Sequence, residues 1–250
     1  MVLSWAGNLL FAPTPQLAMQ VERAGQTLSL AVPAGRVGTV PAEKPAADSA
    51  YRFLTPDVGY LDMARLSRRQ VPAALQTFAH TKGIVIDQRN YPAPIFYELA
   101  AQLAPQPVPF ATYIQRDPSS PGRFLWQPAD SVKASGPAAY PGRVVVLVNE
   151  KSRSMAEFTA MGLRATPHCL LLGSQTAGAD GNASKIILPG GLNTLMTGLG
   201  VYYPDRGETQ QVGLRLDVTL RPTVAGIRAG RDELRDRAVE LIQRPVTNAN

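Results

Sequence analysis

Ser152, Arg153 and Ser154 lie together in "VVVLVNEKSRSMAEFTAMGL" (Val144 to Leu163), between five apolar residues and a helical pattern. Two chemistries are open to a serine at such a junction. The start of a helix offers backbone N–H groups without partners and the positive end of the aligned peptide dipoles. A serine there ties down the helix as its N-cap, or it attacks a carbonyl whose developing oxyanion those N–H groups hold. Ser154 followed by Glu157 fits the S-x-x-E capping box, so the local pattern alone favours the cap.

The elements that must position this turn are legible around it. "IVID", "VVVLV" and "CLLL" are apolar without alternation, as strands covered on both faces are. Helical patterns separate them: "SRRQVPAALQTFAH", with Ser67 as a candidate N-cap, "PAPIFYELAAQLA", and the stretch from about residue 155. Strands separated by helices imply a parallel sheet with right-handed crossovers. In such sheets functional groups gather beyond the carboxyl ends of the strands. Here those ends are "DQRNYP" after Ile86 and "NEKSRS" after Val148.

The rest is richer in β patterns. "VGYLDMARL" alternates like a strand. Residues 104–142, dense in Pro, Gly and Ser, fit a long irregular hairpin or flap carrying "FATYI" and "RFLWQ". "SKIILPGG", "LNTLMTGLGVYY" and "LRLDVTLRP" follow, and "GRDELRDRAVELIQ" reads as a closing helix. Near the start, "LAMQVERAGQTLSLAVPAGR" has two alternating runs around Ala24-Gly25, a hairpin signal. The Pro- and Ala-rich residues after it read as a linker. The chain divides into an N-terminal β segment with linker, 1–45, and a core, 46–250.

Composition narrows the function. The net charge is +6, but 20 of the 25 basic residues are Arg spread along the chain, not interleaved with aromatics. That reads as a solvated basic surface, not a nucleic-acid site. No apolar run reaches the roughly 18–20 residues of a membrane span. One cysteine, Cys169, excludes an internal disulfide, and two histidines leave too few ligands for a His/Cys metal site. No metal or organic cofactor is expected. The first residues lack the basic and apolar regions of a signal peptide, so either the protein is cytosolic or its true start is missing.

The pieces "GYLDMARL", "GIVIDQRNYP", "VVVLVNEKSRSMAE", "LLLGSQTAGADGN", "LPGG", "YYPD", "VGLRLDVTLRPT" and "GRDELRDRAVELI" occur in one order. That series, over roughly residues 51–240, resembles the S41 serine peptidases, the carboxyl-terminal processing or tail-specific proteases. The resemblance implies an α/β core of the ClpP/crotonase-like spiral type with a mixed, partly parallel sheet. It also implies a PDZ domain before the core, of which residues 8–36 could be the trailing strands, and a location in the bacterial envelope. It places Ser154 as the nucleophile in the S-A-S-E turn of the family, with the amide of Met155 as one oxyanion donor. The second donor would come from the loop matching D-x-R-G-x-x-G-G. There Asp87 and Arg89 match, while Asn90 and Tyr91 stand in place of glycine, which suits a donor only if the local dihedrals accept a side chain.

The family's lysine base falls 25 residues after the serine, at Ala179, and its supporting Gln falls at Ala183. Without a base a serine hydroxyl loses roughly 100- to 10,000-fold in rate. Of the five lysines, Lys185 is the candidate base, because residues 183 and 185 of a strand point to one side. Lys151 lies in the turn itself, His80 closes a helix, and Asp180 is an acidic neighbour fit to orient. Gly178 and Gly181 could let their loop pass close to a substrate backbone.

Three readings follow. The first is a serine endopeptidase that cleaves extended or C-terminal polypeptide through a Ser154 acyl-enzyme. The second is a catalytically impaired protein of the same fold that binds peptide or protein tails, favoured by Ala179. The third is a crotonase-like acyl-CoA enzyme, which leaves the Ser154 turn unexplained. The oligomeric state is left open.

Overall fold

A computed structural model describes residues 15–33, 49–134, 136 and 139–244. The chain forms two compact units, Met1–Asp48 and Ser49–Asn250. The described part of the first is an antiparallel hairpin of β1 (Gln16–Arg23) and β2 (Gln26–Pro33). Ala24 and Gly25, both at positive φ, make its turn, as the sequence suggests.

The second unit runs β3 (Tyr51–Thr55), β4 (Val58–Asp62), α1 (Val71–Thr77), β5 (Gly83–Asp87), α2 (Phe96–Leu103), β6 (Val108–Arg116), β7 (Phe124–Trp126) and β8 (Asp130–Val132). It continues with β9 (Arg143–Val148), α3 (Met155–Arg164), β10 (Cys169–Gly173), β11 (Ala183–Ile187), β12 (Asn193–Thr197), β13 (Leu199–Tyr202), β14 (Val218–Thr219), α4 (Val224–Arg228) and α5 (Glu233–Gln243). The main sheet has six strands in the order β14-β10-β9-β5-β4-β3. All neighbours are parallel except β3, which folds back antiparallel on β4. A smaller antiparallel sheet joins β13, β6 and β7, with β8 also on β6, and β11 pairs with β12 as a separate hairpin. The flap expected between residues 104 and 142 is the β6–β7 hairpin with β8.

The apolar strands lack alternation because both faces are covered. On one face Ile84, Ile86, Val144, Val146, Val148 and Leu171 pack with Phe78, Leu99, Ala160 and Leu163, which come from α1, α2, α3 and their ends. On the other, Val58, Val85, Val145, Leu147 and Leu172 meet Leu234, Ala238 and Ile242 of α5. Successive residues of β5 and β9 therefore alternate between two cores, each apolar. Burying each such side chain contributes about 1.5–3 kcal/mol, and the register it imposes puts the ends of β5, β9 and β10 side by side: Asp87 opposite Leu147, and Val148 opposite Gly173.

Two expectations shorten. "LRLDVTLRP" yields only the two residues of β14, and "SRRQVPAALQTFAH" splits into a 3-10 turn, Arg68–Gln70, and α1. Pro72 occupies the first turn of α1, where its missing N–H costs nothing.

Candidate active site

Three loops converge at the carboxyl ends of β5, β9 and β10. The turn after β9 lies in the middle. Ser152 is 1% exposed, and its hydroxyl donates to the Gln88 carbonyl at 3.0 Å while accepting the Asn149 N–H at 3.0 Å. The Ser152 carbonyl accepts the Ala177 N–H at 3.0 Å, which ties in the loop after β10. Ser152 is thus the buried joint of the site, and Ser154, half-buried, is its outer edge.

Ser154 departs from the capping expectation. It precedes α3 at φ 51°, ψ −121°, and its side chain makes no cap hydrogen bond. A left-handed φ on a residue with a side chain costs about 1 kcal/mol or more. The strain is held by the Ser154 N–H, which donates to the Ala179 carbonyl at 3.0 Å, and by the Ser154 carbonyl, which accepts from Phe158 at 2.9 Å. The half-buried Ser154 hydroxyl has no hydrogen-bond partner among the described residues.

The other half of the expected capping box serves elsewhere. Glu157, 1% exposed, accepts from Thr176 Oγ1 at 2.6 Å and the Gly178 N–H at 2.8 Å on Oε1, and from the Ala179 N–H at 2.8 Å on Oε2. It clamps the loop after β10 onto the first turn of α3. The S-x-x-E spacing is present, but its carboxylate organises a distant loop rather than the helix start. Two glycines let the clamp form. Gly173 sits at φ 152° with its Cα against the Val148 carbonyl, where any Cβ would overlap that oxygen. Gly178, at φ 63°, lies close to the backbone of Gln211–Gly213, and its carbonyl accepts the Gln211 N–H at 2.6 Å.

The loop after β5 is fixed by charge. Arg89 bonds Asp87 through Nε at 2.9 Å and Nη2 at 2.6 Å, and Asp232 through Nη1 at 2.9 Å and Nη2 at 2.7 Å. Tyr60 donates to the same Asp87 at 2.9 Å, and Asp232 caps α5 by accepting the Arg235 N–H at 3.1 Å. Burial works against the charge on Arg89, but the hydrogen bonds it donates to Asp87 and Asp232 outweigh it and hold the guanidinium pKa above its usual value. Burial likewise raises Asp232, and the bonds from Arg89 more than reverse it, leaving that carboxyl below the usual range. Asp87 and Arg89 therefore form an ion pair that fixes this loop. Asp232 is the partner that sequence reasoning missed; its only signal was an Asp just before a helical pattern.

Asn90 and Tyr91 extend from this loop. Neither has a positive φ, so the absence of glycine there carries no backbone strain. Their amides, like that of Met155 at the start of α3, make no hydrogen bond among the described residues. The Tyr91 side chain is exposed.

None of the sequence candidates for a base hydrogen-bonds the Ser154 hydroxyl. Lys185 is exposed on β11 opposite Leu195 and has no hydrogen bond or ion pair with a described residue. Lys151 is exposed in the turn. His80 and His168 precede β5 and β10, at the amino ends of strands whose carboxyl ends flank Ser154. A five-residue strand spans about 16 Å. Asp180 is different: it follows Ala179 directly and is 5% exposed. Among the described residues no group of His, Cys, Asp and Glu could hold a metal ion, and no helix is long and apolar enough to cross a membrane.

A mixed sheet flanked by helices, with its candidate site beyond parallel strand ends, defines an α/β protein of the ClpP/crotonase-like kind. The Peptidase family S41 profile matches residues 57–220, and the chain belongs to that family. Among solved structures it is similar to a putative peptidase from Parabacteroides merdae, with TM-score 0.69 and 18% identity over 78% of this chain and 64% of that one. It is similar to mature CPAF complexed with lactacystin, with TM-score 0.69 and 15% identity over 92% of this chain and 68% of that one. It also resembles the photosystem II D1 C-terminal processing protease, with TM-score 0.51 and 20% identity over 84% of this chain and 56% of that one. The chain thus spans about two thirds or less of the length of these structures. No curated protein matches it in sequence.

Proposed function

We propose that the protein is a serine peptidase that hydrolyses extended or C-terminal polypeptide through an acyl-enzyme on Ser154. One observation carries the reading: the Ser154 hydroxyl stands at a strained strand-to-helix turn, uncommitted to the helix it precedes. A capping serine would not carry a left-handed φ while leaving its oxygen without a bond. In the reaction Oγ attacks the scissile carbonyl carbon as its proton leaves to a base. The carbonyl electron pair moves onto oxygen, which the Met155 N–H and the N–H of Asn90 or Tyr91 would hold. Collapse expels the amine, and water then releases the acyl group from Oγ. Membership of a peptidase family supports the substrate class. The hairpin of the first unit is read as the trailing strands of a PDZ-type peptide-binding domain, which suits a tail-specific enzyme. A fluorophosphonate probe should label the protein, and Ser154→Ala should abolish labelling; a folded wild type that takes no label would rule out an activated serine.

A second reading, an impaired member that binds tails without cutting them, is favoured by Ala179 at the place of the family's base and by the exposure of Lys185. Peptide binding that persists in a protein inert to the probe would select it.

A further inference from the structure

We propose that Asp180 is a positioning residue for Ser154: its neutral carboxyl keeps the loop of residues 176–180 seated against α3, and its ionisation unseats that loop and Ser154 with it. This rests on the reading of Ser154 as nucleophile.

The connection is short. Asp180 is the residue after Ala179, whose carbonyl holds the Ser154 N–H at 3.0 Å and whose own N–H is held by Glu157 at 2.8 Å. The Asp180 carbonyl is fixed as well, by Gln210 Nε2 at 2.6 Å, a nitrogen that also reaches the Leu199 carbonyl at 3.1 Å. The side chain is turned inward. Oδ1 accepts the Gly181 N–H at 2.7 Å, and Oδ2 is buried with no hydrogen-bond partner. Two titratable groups face it, Glu157 from α3 and Tyr113 from β6. Tyr113 gives its hydroxyl proton to Asp130 at 3.0 Å and so has none to offer Asp180. No Lys, Arg or His among the described residues pairs with this carboxyl.

A carboxylate in that place would be desolvated, short of donors, and set beside a second carboxylate that already clamps the loop. Burial drives the Asp180 carboxyl up to about 7; the Gly181 N–H opposes this, and the charge of Glu157 adds to it. Near neutrality the proton is therefore in balance. Once it leaves, repulsion from Glu157 and the pull of water both favour an outward swing, and Ala179 must move with its neighbour. Asp180 acts through Ala179 and Glu157, without contact to the reacting atoms.

The test uses the full chain, wild type against Asp180→Asn, which mimics the neutral carboxyl at every pH. The fluorophosphonate labelling rate and the amide NMR signals of Ser154, Gly178 and Ala179 are followed from pH 6 to 8.5. The ratio of labelling rates, variant over wild type, should rise at least about fivefold across that range as the wild-type loop loosens. The three amides should shift together, with a midpoint near that of Asp180, in the wild type and not in the variant. A constant ratio, or amides that titrate equally in both proteins, overturns the proposal. A folded variant that takes no label at any pH also overturns it, since Asp180 would then be the base itself. If the wild type takes no label at all, the serine reading fails, and the amide titration still decides whether Asp180 seats the loop.

Discussion

The N–H of Ser154 points at the carbonyl of Ala179, 3.0 Å away, so the candidate nucleophile hangs from the loop after β10 as well as from its own helix. The hydroxyl therefore has no structural duty that the structure reveals. Ser154→Ala should abolish labelling while shifting the urea midpoint little, by less than about 0.5 kcal/mol of stability, as for a surface change without lost partners. Ser154→Gly should be equally inert yet more stable than wild type by up to about 1 kcal/mol, because glycine accepts φ 51° freely. A glycine variant less stable than the alanine one would show that the turn is not strained.

Glu157 should matter far more to folding than a capping residue would. Its carboxylate takes three donors, and Thr176 Oγ1 must spend its proton there because the same oxygen accepts the Leu214 N–H at 2.9 Å. Glu157→Ala leaves those donors buried and unpaired and should cost roughly 2–4 kcal/mol. Glu157→Gln should rescue only part of this, since its NH₂ must face either the Gly178 or the Ala179 N–H. Labelling of Ser154 should fall in both variants, in step with the loosening of the 176–180 loop, and urea unfolding beside labelling kinetics measures the two effects.

The sequence displayed what is local and repetitive. "IVID", "VVVLV" and "CLLL" announced a parallel core because each lies between two apolar layers, and the helix after Ser154 begins at Met155 as its pattern implied. β3 was not separated from its surroundings because an edge strand, half exposed, has no continuous apolar run. In the site, the Ser154 turn was visible from strand, hydroxyls and helix in succession. The role of Glu157 was misread because the i, i+3 spacing of a capping box is satisfied by sequence whether or not the side chain turns back. Asp232 was beyond local patterns, since it meets Arg89 across 143 positions; Asp180 stood out as an acidic neighbour, but nothing local in its loop signals that it is buried.

Arg89 holds two carboxylates from opposite ends of the core. Arg89→Ala should destabilise by about 3–5 kcal/mol, the usual cost of leaving a mostly buried charge without its partner. Arg89→Lys should recover little, because one ammonium cannot reproduce the paired N–H bonds to both Asp87 and Asp232. The pH dependence has a defined sign. The Asp232 carboxyl is depressed in the folded protein, so its contribution is present above the unfolded value of about 3.9 and is lost as pH falls below it. Denaturant titrations at pH 7 and pH 3 should show the Arg89→Ala deficit shrinking at the lower pH.

Asp180 must act on stability in the opposite direction from Asp232. Its carboxyl titrates at about 7 in the folded protein against about 3.9 in the unfolded chain, so between those values the folded state binds more protons. Stability then decreases as pH rises through that window and levels off above it. Asn carries no such proton, and its NH₂ is no worse off than the buried OH it replaces. Wild type and Asp180→Asn should be nearly equal at about pH 4, and the variant should be more stable by roughly 2–4 kcal/mol at pH 8, at about 1.4 kcal/mol per pKa unit. Urea midpoints at both pH values measure the gap. A gap that does not widen would place Asp180 among ordinary carboxyls, with no held proton to lose. A widening gap means that the wild type keeps an acid at some cost to its own fold, where Asn would be more stable, in the loop from which Ser154 hangs.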